Sequence, residues 1–171
     1  MRRVLAALAS FVVIVGLPPA MSMPRGPLPT FDLLAADGTR ISSADLLGRE
    51  QWIVIYAMPG CRPCDDLLAS LGRLPARGVL RRAVLVIGGT PDEARAYVEQ
   101  ALPKELRRLR WYADDTSVWQ ALQLVGTRTL VGIREGRLEW AISGAVSDSR
   151  ALGRAFSSWL DDSVDRGQAG Q

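Results

Sequence analysis

The central part of the chain reads, in succession, Gln51-Trp-Ile-Val-Ile-Tyr-Ala57, Met58-Pro-Gly-Cys-Arg-Pro-Cys64 and Asp65-Asp-Leu-Leu-Ala-Ser-Leu71. The first segment is almost continuously apolar and rich in β-branched and aromatic residues, which predicts a strand buried on both faces. The third segment carries its leucines on one helical stripe and ends before Gly72, which predicts a helix. The two cysteines therefore lie at the junction between a central strand and a helix.

This junction suits a redox-active cysteine pair. The N-terminus of a helix offers unpaired N–H groups and a positive partial charge, and both stabilise a thiolate. We therefore expect the pKa of Cys61 to lie below the free-thiol value of about 8.5. Cys64 follows one turn later and is expected to be more buried. Because the spacing of three lets its sulfur close a disulfide, Cys61 is predicted to be the attacking nucleophile and Cys64 the resolving thiol.

The Cys-x-x-Cys pair has two alternative uses. Half of a structural zinc site needs two further ligands, but the chain has only two cysteines and no histidine, so zinc would require a second chain. The second alternative is a static structural disulfide. So short a loop contributes little chain entropy, so such a disulfide would stabilise the fold poorly. The redox interpretation is therefore favoured, with no cofactor beyond the Cys61–Cys64 disulfide. The absence of histidine also excludes general bases and haem ligands of that type.

The N-terminus has the pattern of a secretory signal peptide. Arg2 and Arg3 are followed by an apolar run from Val4 to Leu17 and then by two prolines. A run of 14 residues is short for a membrane span, which needs about 20. We expect residues 1–22 to be a signal peptide, with an uncleaved anchor formed by residues 4–22 as the alternative. Either way, the protein is predicted to be periplasmic or otherwise extracytoplasmic.

The remaining chain is long enough for one domain. Residues 23–30 predict an extended lead-in, residues 31–162 the folded domain and residues 163–171 a disordered tail. The formal net charge of +3 includes Arg2 and Arg3, so it falls to about +1 without them. This small charge implies no nucleic-acid partner, and we expect a monomer.

The rest of the pattern alternates strands and helices. Asp37-Gly38 predicts a two-residue turn between strands at 31–36 and 39–41, followed by a short helix that Ser42 or Ser43 caps. Further strands are predicted at 83–87, 110–113, 129–133 and 137–142. Helices are predicted to begin at Thr90, at Thr116 or Ser117, and at Ser147 or Ser149. This order implies an α/β domain with a central mixed sheet, helices on both faces and an N-terminal β-hairpin extension.

The segment from Thr30 to Gly48, followed by the apolar strand and Cys61-Arg62-Pro63-Cys64, resembles the opening of the TlpA/ResA-type branch of the thioredoxin superfamily. The likeness covers most of residues 29–160. It implies a thioredoxin-like fold and an exported thiol–disulfide oxidoreductase. By the same resemblance, such proteins reduce the disulfides of partner proteins in the cell envelope and draw electrons from a membrane thiol carrier.

The chain departs from that family at two places close to the cysteines. Family members carry an aromatic residue before the first cysteine, where this chain has Gly60, and a buried carboxylate beneath the site, where residues 53–55 are purely apolar. Asp65 and Asp66 are the nearest acidic residues in sequence. Their position in the first helical turn favours an interaction with the helix dipole over a role as a proton relay.

A third departure concerns the loop opposite the cysteines. The family places a cis-proline there, whereas the matching residues here are Gly126-Thr127-Arg128-Thr129. A non-proline cis bond costs about 2.5–4 kcal/mol, so the Thr127–Arg128 bond is expected to be trans and the loop reshaped. If this loop passes near the sulfurs, Arg128 could stabilise the Cys61 thiolate; the alternative is a solvated arginine.

We count Thr127, Arg128, Arg62 and Pro63 as residues that modulate the site. Arg62 adds a screened cation beside the nucleophile, and Pro63 stiffens the start of the helix.

Three rival functions remain. A thiol peroxidase would use Cys61 with Arg128, although Met58 stands where peroxiredoxins have threonine. A non-catalytic thioredoxin-like accessory module and a copper-delivery protein are the other two, and the latter lacks the usual histidine ligand.

Overall fold

The computed structural model describes residues 25–74, 80–144 and 148–168, with side chains as far as Asp161. The predicted signal peptide at residues 1–22, Ser147 and the last three residues of the expected tail lie outside the described residues.

Within the described residues, all strands belong to one mixed sheet. The strands are β1 (Gly26–Pro27), β2 (Asp32–Leu34), β3 (Arg40–Ser42), β4 (Gln51–Ala57), β5 (Ala83–Gly88), β6 (Arg110–Asp114), β7 (Thr129–Arg134) and β8 (Arg137–Ser143). Their order across the sheet is β1-β8-β7-β4-β5-β6-β2-β3. Strands β4, β5 and β6 are parallel, while β7 runs antiparallel to β4. The carboxyl ends of the parallel strands therefore meet at one edge of the sheet.

Helices cover both faces of this sheet. They are α1 (Ser43–Leu47), α2 (Arg62–Gly72), α3 (Pro91–Gln100), α4 (Ser117–Ala121) and α5 (Ser149–Gln168). Apolar residues of α2, α3 and α5 join one core cluster, and those of α1 and α4 join the other. Every residue of β4 is buried, with alternate side chains in the two clusters. The predicted α/β layering and the doubly buried central strand are confirmed.

The N-terminal hairpin is present, but its turn differs from the prediction. Ala35 N donates to Thr39 O and Gly38 N to Ala35 O, both at 2.9 Å, so three residues rather than two form the turn. Gly38 has φ +82°, the left-handed conformation that glycine adopts without a side-chain clash. The lead-in also contributes more than expected, because β1 pairs with the outer edge of β8.

The last helix begins at Ser149, one of the two predicted starts, but its cap and its end differ from expectation. Its first turn is capped by Asp148, whose Oδ1 accepts from Arg150 N at 2.8 Å and Ala151 N at 3.1 Å, and not by Ser149. At the other end α5 continues to Gln168, so residues 163–168, expected to be disordered, are helical. Once a helix has nucleated on packed residues such as Phe156, adding a further turn is cheap.

The start of α4 corrects the prediction of a Thr116 or Ser117 cap. Thr116 has φ +90° and its side chain makes no capping bond. The buried carboxylate of Asp114 caps the helix instead, because it accepts from Val118 N at 2.9 Å and Trp119 N at 3.3 Å. It also accepts from the Tyr56 hydroxyl at 3.0 Å. Asp114 thus ties the end of β6 to α4 and to β4.

We expect Asp114→Ala to lower the free energy of unfolding by about 3 kcal/mol, because it leaves several buried donors without an acceptor. Asp115→Ala is the matched control. It removes an ion pair between largely exposed side chains and should cost less than about 1 kcal/mol. Urea unfolding of both variants measures the difference, and equal losses would contradict the structural role given to Asp114.

Candidate redox site

The backbone after β4 places Cys61 at the start of α2. Gly60 has φ +75°, which lets the chain turn sharply before the cysteine. Cys61 N donates to Met58 O at 3.2 Å and closes this turn. Cys61 is the N-cap residue, and Pro63 lies in the first helical turn, where its missing N–H costs nothing. The predicted position of the pair at a strand–helix junction is confirmed.

The two cysteines form a disulfide with their Cα atoms 5.2 Å apart, and their environments differ. Cys64 is fully buried and packs in the same core cluster as Ile55 and Ala57 of β4. Cys61 is only partly buried. The backbone N–H of Cys64 points at Cys61 Sγ, 3.3 Å away. This N–H is one of the donors at the helix N-terminus, so Cys61 Sγ is both the accessible sulfur and the one that α2 can stabilise as an anion.

Thr127 contacts both sulfurs. Its Oγ1 lies 3.1 Å from Cys61 Sγ, and because a disulfide sulfur has no proton the hydroxyl is the donor. The carbonyl oxygen of Thr127 lies 3.1 Å from Cys64 Sγ, where it can accept from the thiol of the reduced form. Pairing of Thr129 with Tyr56 holds the end of this loop beside β4. The loop at residues 126–128 therefore passes next to the cysteines.

Arg128 follows Thr127 through a trans bond, as expected, since no cis peptide bond occurs in the described part of the chain. Its guanidinium donates to Pro63 O at 3.4 Å, so the side chain reaches across to the first turn of α2. This places a cation beside the Arg62-Pro63 segment that joins the cysteines. Arg62 itself is exposed, and among the described residues neither arginine forms an ion pair.

The acidic residues near the cysteines point elsewhere. Asp65 Oδ1 accepts from the Tyr97 hydroxyl of α3 at 2.5 Å, which links the start of α2 to the neighbouring helix. Burial raises the pKa of Tyr97 above its ordinary value, and the bond to Asp65 raises it further. Asp66 is exposed. Asp65 is therefore held by a tyrosine that the sequence did not single out.

The sequence also did not single out the buried carboxylate of this region. Asp114 is 1% exposed and contacts Tyr56, whose pKa is raised mainly by burial and also by the Asp114 charge. Tyr56 belongs to the core cluster on the face of the sheet opposite Cys64. The contacts of Asp114 are therefore with Tyr56 and the start of α4. They lie on the opposite face of the sheet from Cys64, so Asp114 is not beneath the cysteines. The sequence did offer a signal for this helix cap: Asp114 lies at the end of a strand, four residues before the helical N–H that it accepts from.

Apolar groups complete the surroundings of Cys61. Val125, two residues before Thr127, is 64% exposed, and Pro59 in the turn before Cys61 is also exposed. Beside Met58 and Pro59, a cleft of about 520 Å³ runs along the carboxyl ends of β5 and β6. The turn before Cys61 therefore contributes apolar surface, and Arg62 and Arg128 add charge beside the segment that joins the cysteines.

We expect Thr127→Val to raise the pKa of the reduced Cys61 thiol by about one unit. The change keeps the shape of the side chain but removes the hydroxyl that donates to Sγ, and a hydrogen bond to a charged group is worth about 1.5–3 kcal/mol. The rate of alkylation as a function of pH measures this pKa. Thr127→Ser restores the donor and should return the pKa towards wild type, whereas an unchanged pKa in Thr127→Val would contradict the contact.

Comparison with solved structures identifies the fold. The chain is similar to DsbF from MTB (TM-score 0.60, 18% identity, 75% of this chain and 93% of that chain covered). It is also similar to a secreted Mycobacterium tuberculosis disulfide oxidoreductase homologous to E. coli DsbE (TM-score 0.58, 15% identity, 75% of this chain and 95% of that chain covered). A third similar structure is that of an exposed lipoprotein thioredoxin of Streptococcus pneumoniae (TM-score 0.57, 15% identity, 75% of this chain and 98% of that chain covered).

No family model matches the chain, and no curated protein does. The resemblance is therefore one of structure, with little identity in sequence. The layered mixed sheet, together with these neighbours, shows that this chain has the thioredoxin-like fold and carries its Cys-x-x-Cys pair at the start of helix α2.

Proposed function

We propose that this protein is an exported thiol–disulfide oxidoreductase that reduces disulfides of partner proteins in the cell envelope. The observation that carries the proposal is the unequal exposure of the two cysteines at the N-terminus of α2: Cys61 is accessible and Cys64 is buried. In this arrangement the accessible sulfur can react with a partner disulfide, and the buried sulfur can then resolve the mixed disulfide.

The reaction has two displacement steps. The Cys61 thiolate attacks one sulfur of the partner disulfide, the partner S–S bond breaks, and its other sulfur leaves as a thiolate. Cys64, as a thiolate, then attacks Cys61 Sγ, which forms the Cys61–Cys64 disulfide and releases the second partner thiol. Two electrons pass from the protein dithiol to the partner. A thiol donor must reduce the disulfide again, and we propose a membrane thiol carrier for that step.

Three features of the site support these steps. The N–H of Cys64 and the hydroxyl of Thr127 are donors aimed at Cys61 Sγ, so they stabilise the attacking thiolate. The Thr127 carbonyl lies 3.1 Å from Cys64 Sγ and can hold the thiol of the resolving cysteine until it is needed. No cofactor other than the dithiol–disulfide pair enters this scheme.

The proposed location outside the cytoplasm is supported by the signal-peptide pattern of residues 1–22 and by the secreted and lipoprotein nature of two structural neighbours. Among the helices of the described residues, none has the length and apolar character needed to cross a membrane. We propose that the protein acts there as a monomer on protein thiols and disulfides, with no nucleic-acid partner.

The site gives little support to peroxidase activity. The Arg128 guanidinium donates to the Pro63 carbonyl and makes no bond to either sulfur. Met58, three residues before Cys61, offers no hydroxyl to a peroxide. Peroxide turnover is therefore expected to be negligible beside disulfide reduction.

Trapping with Cys64→Ser tests the proposed function. Without the resolving thiol, Cys61 should stay joined to partner proteins in mixed disulfides, which non-reducing electrophoresis and mass spectrometry detect after expression in the envelope. Cys61→Ser is the matched control and should trap nothing, because Cys64 is fully buried. Wild type should also reduce insulin disulfides in the presence of dithiothreitol.

Two results would overturn the proposal. One is the absence of mixed disulfides in Cys64→Ser combined with a Cys61 thiol that is unreactive near neutral pH, which would favour a non-catalytic binding module. The other is rapid turnover of hydrogen peroxide without insulin reduction, which would favour a thiol peroxidase.

A further inference from the structure

We propose that Cys61 reacts preferentially with disulfides that carry carboxylates beside the reacting sulfur, because Arg62 and Arg128 border it with positive charge. This inference rests on the proposed function and names the class of partner that the same site would take. It concerns charge next to the partner cysteine and makes no claim on the partner's fold.

Arg128 owes its place to the loop that contacts the disulfide. Thr127 Oγ1 lies 3.1 Å from Cys61 Sγ, and Arg128 is the next residue. Its Nη1 donates to Pro63 O at 3.4 Å, within the two-residue segment that separates the cysteines. The guanidinium therefore lies beside the segment that joins the cysteines, and a carbonyl oxygen does not compensate its charge.

Arg62 is the second cation, and its position next to Cys61 is set by the chain. It follows Cys61 directly as the first residue of α2, and it is exposed. Among the described residues it has no acidic partner within ion-pair distance. A partner that approaches Cys61 from solvent therefore meets a cation that follows the nucleophile and a second one that follows Thr127.

The nearby carboxylates are engaged elsewhere or lie farther along α2. Asp65 accepts from the Tyr97 hydroxyl, and Glu93 closes the capping box at the start of α3. Asp115 pairs with Arg40. Asp66 is exposed one helical turn beyond Arg62 and forms no ion pair with it. The hydrogen bonds to Asp65 and Glu93 come from neutral donors and leave the carboxylates charged, so the inference rests on proximity in the chain: Arg62 directly follows Cys61, and Arg128 directly follows the Thr127 that contacts Cys61 Sγ. These two cations complement acidic groups on a partner.

The expected size of the change in reaction rate follows from Coulomb attraction across water. One charge pair a few ångströms apart should change the rate by about threefold, and salt should reduce that change. Both arginines also favour the thiolate itself, so the rate constants must be expressed per thiolate before charge preference is compared.

Three small disulfides of similar shape separate these effects: dithiodipropionate is anionic, hydroxyethyl disulfide is neutral and cystamine is cationic. In each case the Cys61 thiolate attacks one sulfur and expels one small thiolate. Cys64 then expels the second, which leaves the protein disulfide and two small thiols. The reduced wild-type protein and its variants are mixed with each compound at low salt, and the loss of free thiol is followed by stopped flow.

We expect Arg128→Gln and Arg62→Gln each to slow the reaction with dithiodipropionate by about threefold relative to hydroxyethyl disulfide, and to speed the reaction with cystamine. High salt should remove these differences. Arg108→Gln is the matched control, since Arg108 is exposed and lies before β6, at the amino end of the parallel strands. It should leave all three rates unchanged.

Equal effects of the variants on all three disulfides would overturn the inference, because the arginines would then act through the thiolate alone. Equal effects of Arg108→Gln and Arg128→Gln would overturn it too, since only net charge would matter. Both outcomes leave the proposed function standing. If the wild type reacts with none of the three disulfides, the proposed function and this inference fail together.

Discussion

Strand β4 lies between β5 and β7 and is buried on both faces, and the geometry of the redox pair depends on this burial. The strand is held on one side by parallel pairing with β5 and on the other by antiparallel pairing with β7. Its carboxyl end is thereby fixed in space, and Cys61 follows four residues later. The pairing with β7 also brings the Thr127 loop to the same end. A single buried strand thus positions both the sulfurs and the group that contacts them.

The chemical asymmetry of the cysteines follows from where α2 begins. Cys61 is the N-cap residue and stays partly exposed, while Cys64 turns inward to pack against β4. Only the first sulfur receives the Cys64 N–H and the Thr127 hydroxyl. The donors that stabilise a thiolate therefore converge on the atom that a partner can reach, and this coincidence is what a disulfide-exchange site requires.

The loop opposite the cysteines shows how the site tolerates an unusual residue. Where the resemblance to TlpA/ResA-type proteins led us to expect a cis-proline, this chain has Arg128 after a trans bond, and the backbone of Thr127 contacts Cys64 Sγ. The arginine side chain extends to the Pro63 carbonyl. The loop thus keeps its contact with the sulfurs, and its arginine adds a cation beside the segment that joins the cysteines.

The elements whose signals are local could be predicted from the amino-acid sequence. The apolar run of β4, the capping box at Thr90 and Glu93, and the Cys-x-x-Cys spacing each depend on neighbouring residues, so the alternation of strands and helices and the identity of the redox pair were predictable. The contacts between distant groups depend on the folded structure. Thr127 lies 66 residues from Cys61, Tyr97 lies 32 residues from Asp65, and Asp114 caps α4 while it binds Tyr56, 58 residues away. Such contacts follow from strand order and register, which local patterns do not encode, because the pairing partners of a strand are chosen by the packing of the whole sheet.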